Sequence, residues 1–506
     1  MIDVYRETSE QLHATHLRRY ISSMSVVKMD LTALLEAAAK GDTATVTAEI
    51  IRGLAEDIKP SEIAGRVGLP AALGDSDGAA VHVIAAAGVI GDWIQVIAAG
   101  PEKDAEYAQL ISPVLPLSAA FSFASQAIAK GLNKEPKLPE PLFPKDIANP
   151  QGSWGEFRDA AAKGNVDLSG KVIMGLYGSG TDYREIEGMF YYALNAHMPA
   201  DGKALLAVTK LTQMLHFTKW GYDNAKFMFQ WLIPFITKSG PEIAGAQETR
   251  DYLAAPEHDL DFIRTRLEMS KPEAANATMR KAIFSGSHTE VMDAVFSALK
   301  AGAIPPQAAM QVTAAAAEYL AGLPAENTAA TAQALTALRV AQSARMAVTH
   351  TQDIRVLPIL FHAANYVRQT IKTIGEPLRQ VTAASVSLQL AGGLVESGFL
   401  RSLRRHLENG EGPAVYGVTE RYIKMAFSAR SIVGQLGFVA ALKNIATDKN
   451  GQALLTTEAA GSEFVILPLN RQVSDGLPLL YAAEHNILAQ NGDTALAESI
   501  MKQAGL

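Results

Sequence analysis

The chain has 506 residues, 48% of them apolar and 19% charged, with a formal net charge of −7 and no cysteine. The missing cysteine excludes disulfides, thiolate metal ligands, iron–sulfur clusters and cysteine nucleophiles, and an acidic chain without a Lys/Arg block argues against nucleic acid as a partner. The length exceeds what one hydrophobic core usually fills, so several domains or a repeat array is expected.

The N-terminal stretch "MIDVYRETSEQLHATHLRRY" is charged and lacks the apolar core of a signal peptide, so a cytoplasmic location is expected. Residues 1–30 read as an N-terminal capping helix. From Leu34, "LLEAAAKGDTATVTAEIIRGL" reads as an amphipathic helix, a Gly-polar break and a second helix. "GDSDG" (Gly74–Gly78) fits G-x-S-x-G, but no strand leads into it, and it reads as an interhelical turn with a helix cap. Tyr107–Ala129 runs 23 residues without a charge. Pro113, Pro116 and several Ser and Gln residues within it point to a buried core helix, and no membrane span is expected. "KEPKLPEPLFPKDIANPQG" (Lys134–Gly152) reads as a proline-rich linker.

Beyond the linker the opening pattern returns. "FRDAAAKGNVDLSGKVIMGL" (from Phe157), "MRKAIFSGSHTEVMDAVFSALKAG" (from Met279) and "LRRHLENGEGPAVYGVTERYIKMAF" (from Leu403) repeat helix, break and helix. The break glycines Gly41, Gly164, Gly286 and Gly410 are separated by 123, 122 and 124 residues. Two more markers keep step: Gly78, Gly202 and Gly451, and the X-Pro steps at Pro116, Pro234, Pro358 and Pro478. The expected architecture is all-α, with four diverged helical repeat units packed as an array. The units span 31–133, 154–275, 276–399 and 400–506, with the linker at 134–153. "GLYGSGTD" (Gly175–Asp182) lacks a preceding strand and reads as a turn rather than a phosphate loop. Only "SEFVILPL", near Ser462, hints at a strand.

Without cysteine, a transition-metal site must come from His and carboxylates. His258, His288 and His406 sit among polar residues and read as exposed; His350, in "VTHTQD", reads as a loop residue; His13 and His16 form an i, i+3 pair. Five others are the candidate metal ligands: His82, His362 and His485 interrupt apolar helices, His197 ends one, and His216 precedes Trp220 by one aromatic-rich turn. Where the units align, His82 corresponds to Leu206 and Leu455, and His362 to Ala120 and Ala482, so these imidazoles lie outside the shared packing pattern. A buried imidazole needs hydrogen-bond partners or a metal, since its burial otherwise costs about 1–3 kcal/mol. Satisfied core residues and a shared metal site both remain open at this point.

The segments "FYYALNAHMP", "VLPILFHAANYV" and "LPLLYAAEHNIL" resemble the questin oxidase-like proteins, an all-helical group with single histidines in apolar helices. The resemblance implies oxidative chemistry on aromatic polyketide-type substrates at a non-haem iron centre rich in histidine and completed by a modified lysine. Carried over, it implies His82, His197, His362 and His485 as ligands to Fe(II), with His216 as a substitute. Lys219 and Lys203 are the nearest lysines. Phe190, Tyr191, Tyr192, Phe217, Trp220, Phe361, Tyr366 and Tyr481 could line an apolar pocket, and Glu484, Asp92 or Glu187 could orient a ligand. The expected function is a metal-dependent oxygenase acting with O2 on a hydrophobic cyclic or aromatic small molecule. The alternative is a non-catalytic α-helical scaffold that binds a protein or peptide partner.

Overall fold

Helix α1 (Leu31–Lys40) begins where the Asp30 carboxylate accepts the backbone N–H groups of Thr32 and Ala33, and it ends at Gly41, whose φ of 70° is left-handed. Asp42 then caps α2 (Thr43–Ala55) through the N–H of Thr45. There follow α3 (Pro60–Gly74), α4 (Ala79–Ala99), α5 (Val114–Phe123) and α6 (Ser125–Leu132). The second stretch holds α7 (Gly152–Ala162), α8 (Val166–Gly178), α9 (Tyr183–Ala196), α10 (Lys203–Phe217), α11 (Tyr222–Ile236) and α12 (Ala246–Ala254). The third holds α13 (Asn276–Ser285), α14 (His288–Ala301), α15 (Pro305–Ala321), α16 (Thr328–Thr351) and α17 (Pro358–Ile374). The last holds α18 (Glu396–Glu408), α19 (Gly412–Lys424), α20 (Ala429–Leu442), α21 (Gln452–Ile466), α22 (Leu477–Leu488) and α23 (Ala495–Ala504).

This computed structural model describes residues 28–99, 111–237, 240–265, 276–385, 395–443, 451–490 and 494–505. Residues 1–27 of the expected capping helix, with His13 and His16, lie outside the described residues. The described residues are all-helical apart from turns and coil, with one isolated bridge between Pro199 and Glu242. "SEFVILPL" is no strand: its residues up to Ile466 complete α21, where a helix already established over the preceding turns overrides a short alternation. "GDSDG" is a turn that caps α4, with the Asp75 carboxylate accepting the N–H groups of Gly78 at 3.0 Å and Val81 at 2.9 Å. The uncharged stretch expected as one core helix breaks at Ala124 into α5 and α6. Among the described residues one helix is long and apolar enough to cross a membrane, over Ala79–Ile97 of α4, and 72% of that window is buried inside the protein.

Four helices form the centre. α4 packs on α10, α10 on α16, α16 on α21, and α21 back on α4. Each gap is covered from outside by the helix that precedes an inner one: α3 lies on α10 and α11, α9 on α16 and α17, α15 on α21 and α22, and α20 on α4 and α5. The last helix, α23, packs on α2 and α5. The described helices therefore form a closed ring. Close approach at the starts of the inner helices requires glycine at Gly202 and Gly451, whose φ values are 67° and 62°. A Cβ at Gly202 would lie 2.8 Å from Val340 of α16, and one at Gly451 would lie 2.5 Å from Val83 of α4.

The axis of this ring is charged. Buried Lys210 (α10) pairs with buried Glu458 (α21) at 2.7 Å, and Gln213 and Gln342 donate to the same carboxylate. Arg345 (α16) meets Glu463 (α21) at 2.5 Å, while Arg339 (α16) donates to Nδ1 of His82 (α4) at 2.9 Å. The pairings Gln342–Glu458 and Arg345–Glu463 rise together, so α16 and α21 run in the same direction.

Candidate metal centre

At one end of the ring, α10 and α16 finish side by side under α9. His216 lies in the last turn of α10, His350 in the last turn of α16, and Glu187 on the face of α9 that also buries Ile186, Phe190 and Leu194. Glu187 Oε2 is 3.5 Å from His216 Nε2, and Oε1 is 3.4 Å from His350 Nδ1. The three offer donor atoms that all lie within 4.8 Å of one another. Glu187 is fully buried, whereas each imidazole is about one third exposed (34% and 33%), so the group is open on the histidine side. That side is a cavity of about 440 Å³ lined by Tyr183, Arg184, Gln213, His216, Met346, Thr349, His350 and Gln352.

Neither contact closes as a hydrogen bond, so both oxygens of a fully buried carboxylate lack a partner. Such a group is costly unless something else satisfies it. Burial works against the charge of Glu187, yet the imidazoles of His216 and His350 outweigh it and hold the carboxyl below its ordinary range. One turn along α9 the Tyr191 hydroxyl is also buried and unpartnered; burial, then the Glu187 charge, raises its pKa. Trp220 Nε1–H donates to His216 Nδ1 at 3.3 Å. Lys219 and Trp220 both hold left-handed backbone, φ 57° and 52°, which turns the indole back over the helix end. Tyr183 completes the wall, its ring 5.4 Å from those of His216 and Trp220.

With metal–donor bonds of about 2.0–2.2 Å, neighbouring ligand atoms around a tetrahedral ion stand about 3.4 Å apart. The observed 3.4 and 3.5 Å lie near that spacing, each measured to a different oxygen of Glu187, and one donor atom from each of the three residues falls within 4.8 Å of the others. Two imidazoles and one carboxylate are a donor set for a divalent first-row ion. Both histidines also sit at helix C-termini, whose partial negative charge favours a cation.

Of the five histidines singled out in the sequence, His216 is the one in this group. His82 accepts from Arg339 on the axis; burial, then Arg339, keeps its pKa well below normal. His197 caps the end of α9, 3.4 Å from Glu242, which Arg250 grips through two 2.8 Å bonds. Ten residues of the same helix put it about 15 Å from Glu187. His362 is fully buried in α17 with neither ring nitrogen partnered, and burial, then Arg250, lowers its pKa to about 4. His485 is buried in α22 with Nε2 unpartnered, and burial lowers its pKa. His350 is not a loop residue, because α16 continues to Thr351. His406 is not exposed either: its Nδ1 is buried against Glu411. Of the candidate lysines, Lys219 is exposed at the turn after His216, and Lys203 is exposed at the start of α10, near His82 and Asp77. Of the proposed aromatic lining, Trp220 meets His216 edge to face and Tyr191 lies one turn from Glu187.

Compared with family models, curated proteins and solved structures, the chain matches none.

Proposed function

We propose that the chain is a metal-dependent enzyme, a non-haem iron oxygenase whose ion is held by Glu187, His216 and His350. The observation that carries this reading is the buried carboxylate of Glu187, bare of hydrogen bonds and flanked by two imidazole nitrogens at the wall of a cavity. Bound Fe(II) would supply open coordination positions for redox chemistry with O2, as two-histidine, one-carboxylate sites do. The chain's own part is to hold, shape and exclude. Glu187 fixes the charge behind the imidazoles, Tyr183 walls the cavity with a flat ring backed by Trp220, and Arg184 draws an anionic group to it. An aromatic substrate ionised at an oxygen suits that lining, as the resemblance to the questin oxidase-like proteins implies. We further propose that the four stretches of helices are diverged copies of one unit, and that the site arose at the boundary between the second and third.

One observation favours a second reading. Because Trp220 donates to His216 Nδ1, the neutral ring of His216 carries its proton on Nε2, the atom a metal would need. In that state a small turn of His350 would close its 3.4 Å Nδ1 contact with Glu187 as a hydrogen bond and leave Nε2, on the far edge of the ring, as a general base.

Metal content separates the two. Elemental analysis of untagged protein should find about one iron or other first-row ion per chain, lost in Glu187→Gln and His350→Ala but kept in His485→Ala. Protein without stoichiometric metal after anaerobic reconstitution with Fe(II) overturns the first reading.

A further inference from the structure

A second cavity, half open to solvent like the first, shares the exposed Gln352 with it. It has a volume of about 280 Å³ and is lined by Ile263, Pro305, Val348, Gln352, Asp353, Ile354 and Leu357. Gln352 lines both cavities. It caps α16 with φ 50° and ψ 30°, a left-handed conformation that a residue other than glycine rarely holds. Held so, it stands on the boundary two residues beyond His350.

The two chambers differ in chemistry. The first carries the imidazoles, Arg184, Gln213 and Thr349; the second offers five apolar side chains. Its one carboxylate, Asp353, is engaged by the Arg355 guanidinium at 2.6 Å and by the Arg355 N–H at 2.8 Å. Nothing else in that lining carries a charge.

We infer that the enzyme takes an amphiphilic substrate, with an oxygen-bearing head at Glu187, His216 and His350 and an apolar limb that passes Gln352 into the chamber of Ile263, Val348, Ile354 and Leu357. This rests on the metal-centre reading for the head group only. The limb is recognised by burial of hydrocarbon, so each methylene that enters should tighten binding about fourfold.

Straight-chain alkyl hydroxamates from acetohydroxamate to decanohydroxamate are suitable probes, because the hydroxamate chelates a metal and the chain reports the second chamber. Calorimetric titration of the full chain, Fe(II)-reconstituted and EDTA-stripped, should show affinity flat for the shortest members. It should then climb about fourfold per methylene, and level off once the chamber is full. Ile354→Asp, at a half-buried position outside the metal group, should abolish the climb while leaving acetohydroxamate binding to the reconstituted protein unchanged. Gln352→Gly, which suits the left-handed backbone, should preserve the climb.

A flat series with acetohydroxamate still bound overturns the second chamber and spares the metal centre. A climb that survives metal removal, with acetohydroxamate unbound in both states, sinks the metal centre and upholds the apolar chamber. A climb unchanged by Ile354→Asp places the chain elsewhere and overturns the inference.

Discussion

Glu484, weighed in the sequence as an orienting carboxylate for a metal ligand, offers a sharp test of the packing around α22. It is fully buried, Oε1 accepts from the Thr419 hydroxyl, and Oε2 has no partner. Burial, only partly offset by Thr419, raises its pKa from 4.5 to about 8. The folded chain thus holds this proton more tightly than the unfolded chain does. The associated stability is fully present below pH 4.5 and is lost as pH rises towards 8. At 1.36 kcal/mol per pH unit, the loss amounts to roughly 3 kcal/mol at pH 7 and about 5 kcal/mol above pH 8. Glu484→Gln keeps the shape and cannot ionise. Urea midpoints of wild type and variant should therefore lie close together at pH 5 and separate steadily to pH 8.5, with wild type the weaker. Because a ring of this size need not unfold in two states, the infrared carbonyl band of a protonated carboxyl provides a direct check: it should persist at pH 7 and vanish in the variant. Parallel pH profiles with no such band would mean that Glu484 is hydrated and ionised.

Trp220→Phe removes the N–H that faces His216 Nδ1, so under the metal reading the variant should bind Co(II) about tenfold more tightly in a chelator competition, the value of one relieved donor; equal or weaker binding would contradict that reading. Lys210→Met strands Glu458 on the axis and should destabilise by about 3–5 kcal/mol in urea, whereas Lys210→Met combined with Glu458→Gln should recover most of that. Additive losses in the double variant would show that the pair does not link α10 to α21.

Much of the helical order could be read from glycine and proline positions. Gly41, Gly164 and Gly410 end first helices with φ of 70°, 68° and 73°, because a left-handed residue after a helix is written as glycine. The third break differs: Gly286 is not left-handed, and Ser287 with Glu290 closes a capping box there instead. What the residues did not reveal was closure. Contacts such as Arg339–His82 join residues 257 positions apart, and no local pattern encodes them. A signal was nonetheless present in "AVTKLTQML", "LRVAQSARM" and "LTTEAAGSEF", where single charges interrupt apolar helices; those charges meet one another on the axis. The site shows the same division. His216 stands out beside its aromatic neighbours, whereas "VTHTQD" reads as a loop around His350 although α16 runs on to Thr351 and stops at Gln352. Glu187 sits on a helix whose one other acidic residue, Glu185, is an ordinary surface charge, and only burial sets it apart.

The placement of Glu187, His216 and His350 follows from the direction of the inner helices. Gly202 approaches Val340 near the start of α10, and His216 approaches His350 at its end, with ring centroids 5.4 Å apart, so α10 and α16 run the same way. Two helix C-termini therefore converge beside the cavity, each favouring a cation by about 0.3–1 kcal/mol. α9, which covers this gap, contributes the carboxylate that completes the negative field. The cavity also reaches the axis, because Gln213 both lines it and donates to Glu458. Gln213 thus joins the wall of the cavity to the Lys210–Glu458 pair. If a cation binds here, Lys210→Met should tighten it, because removing the Lys210 charge leaves Glu458 uncompensated and the field more negative, even though Lys210 touches none of the three groups. If binding is unchanged while stability falls, the axis serves the fold alone.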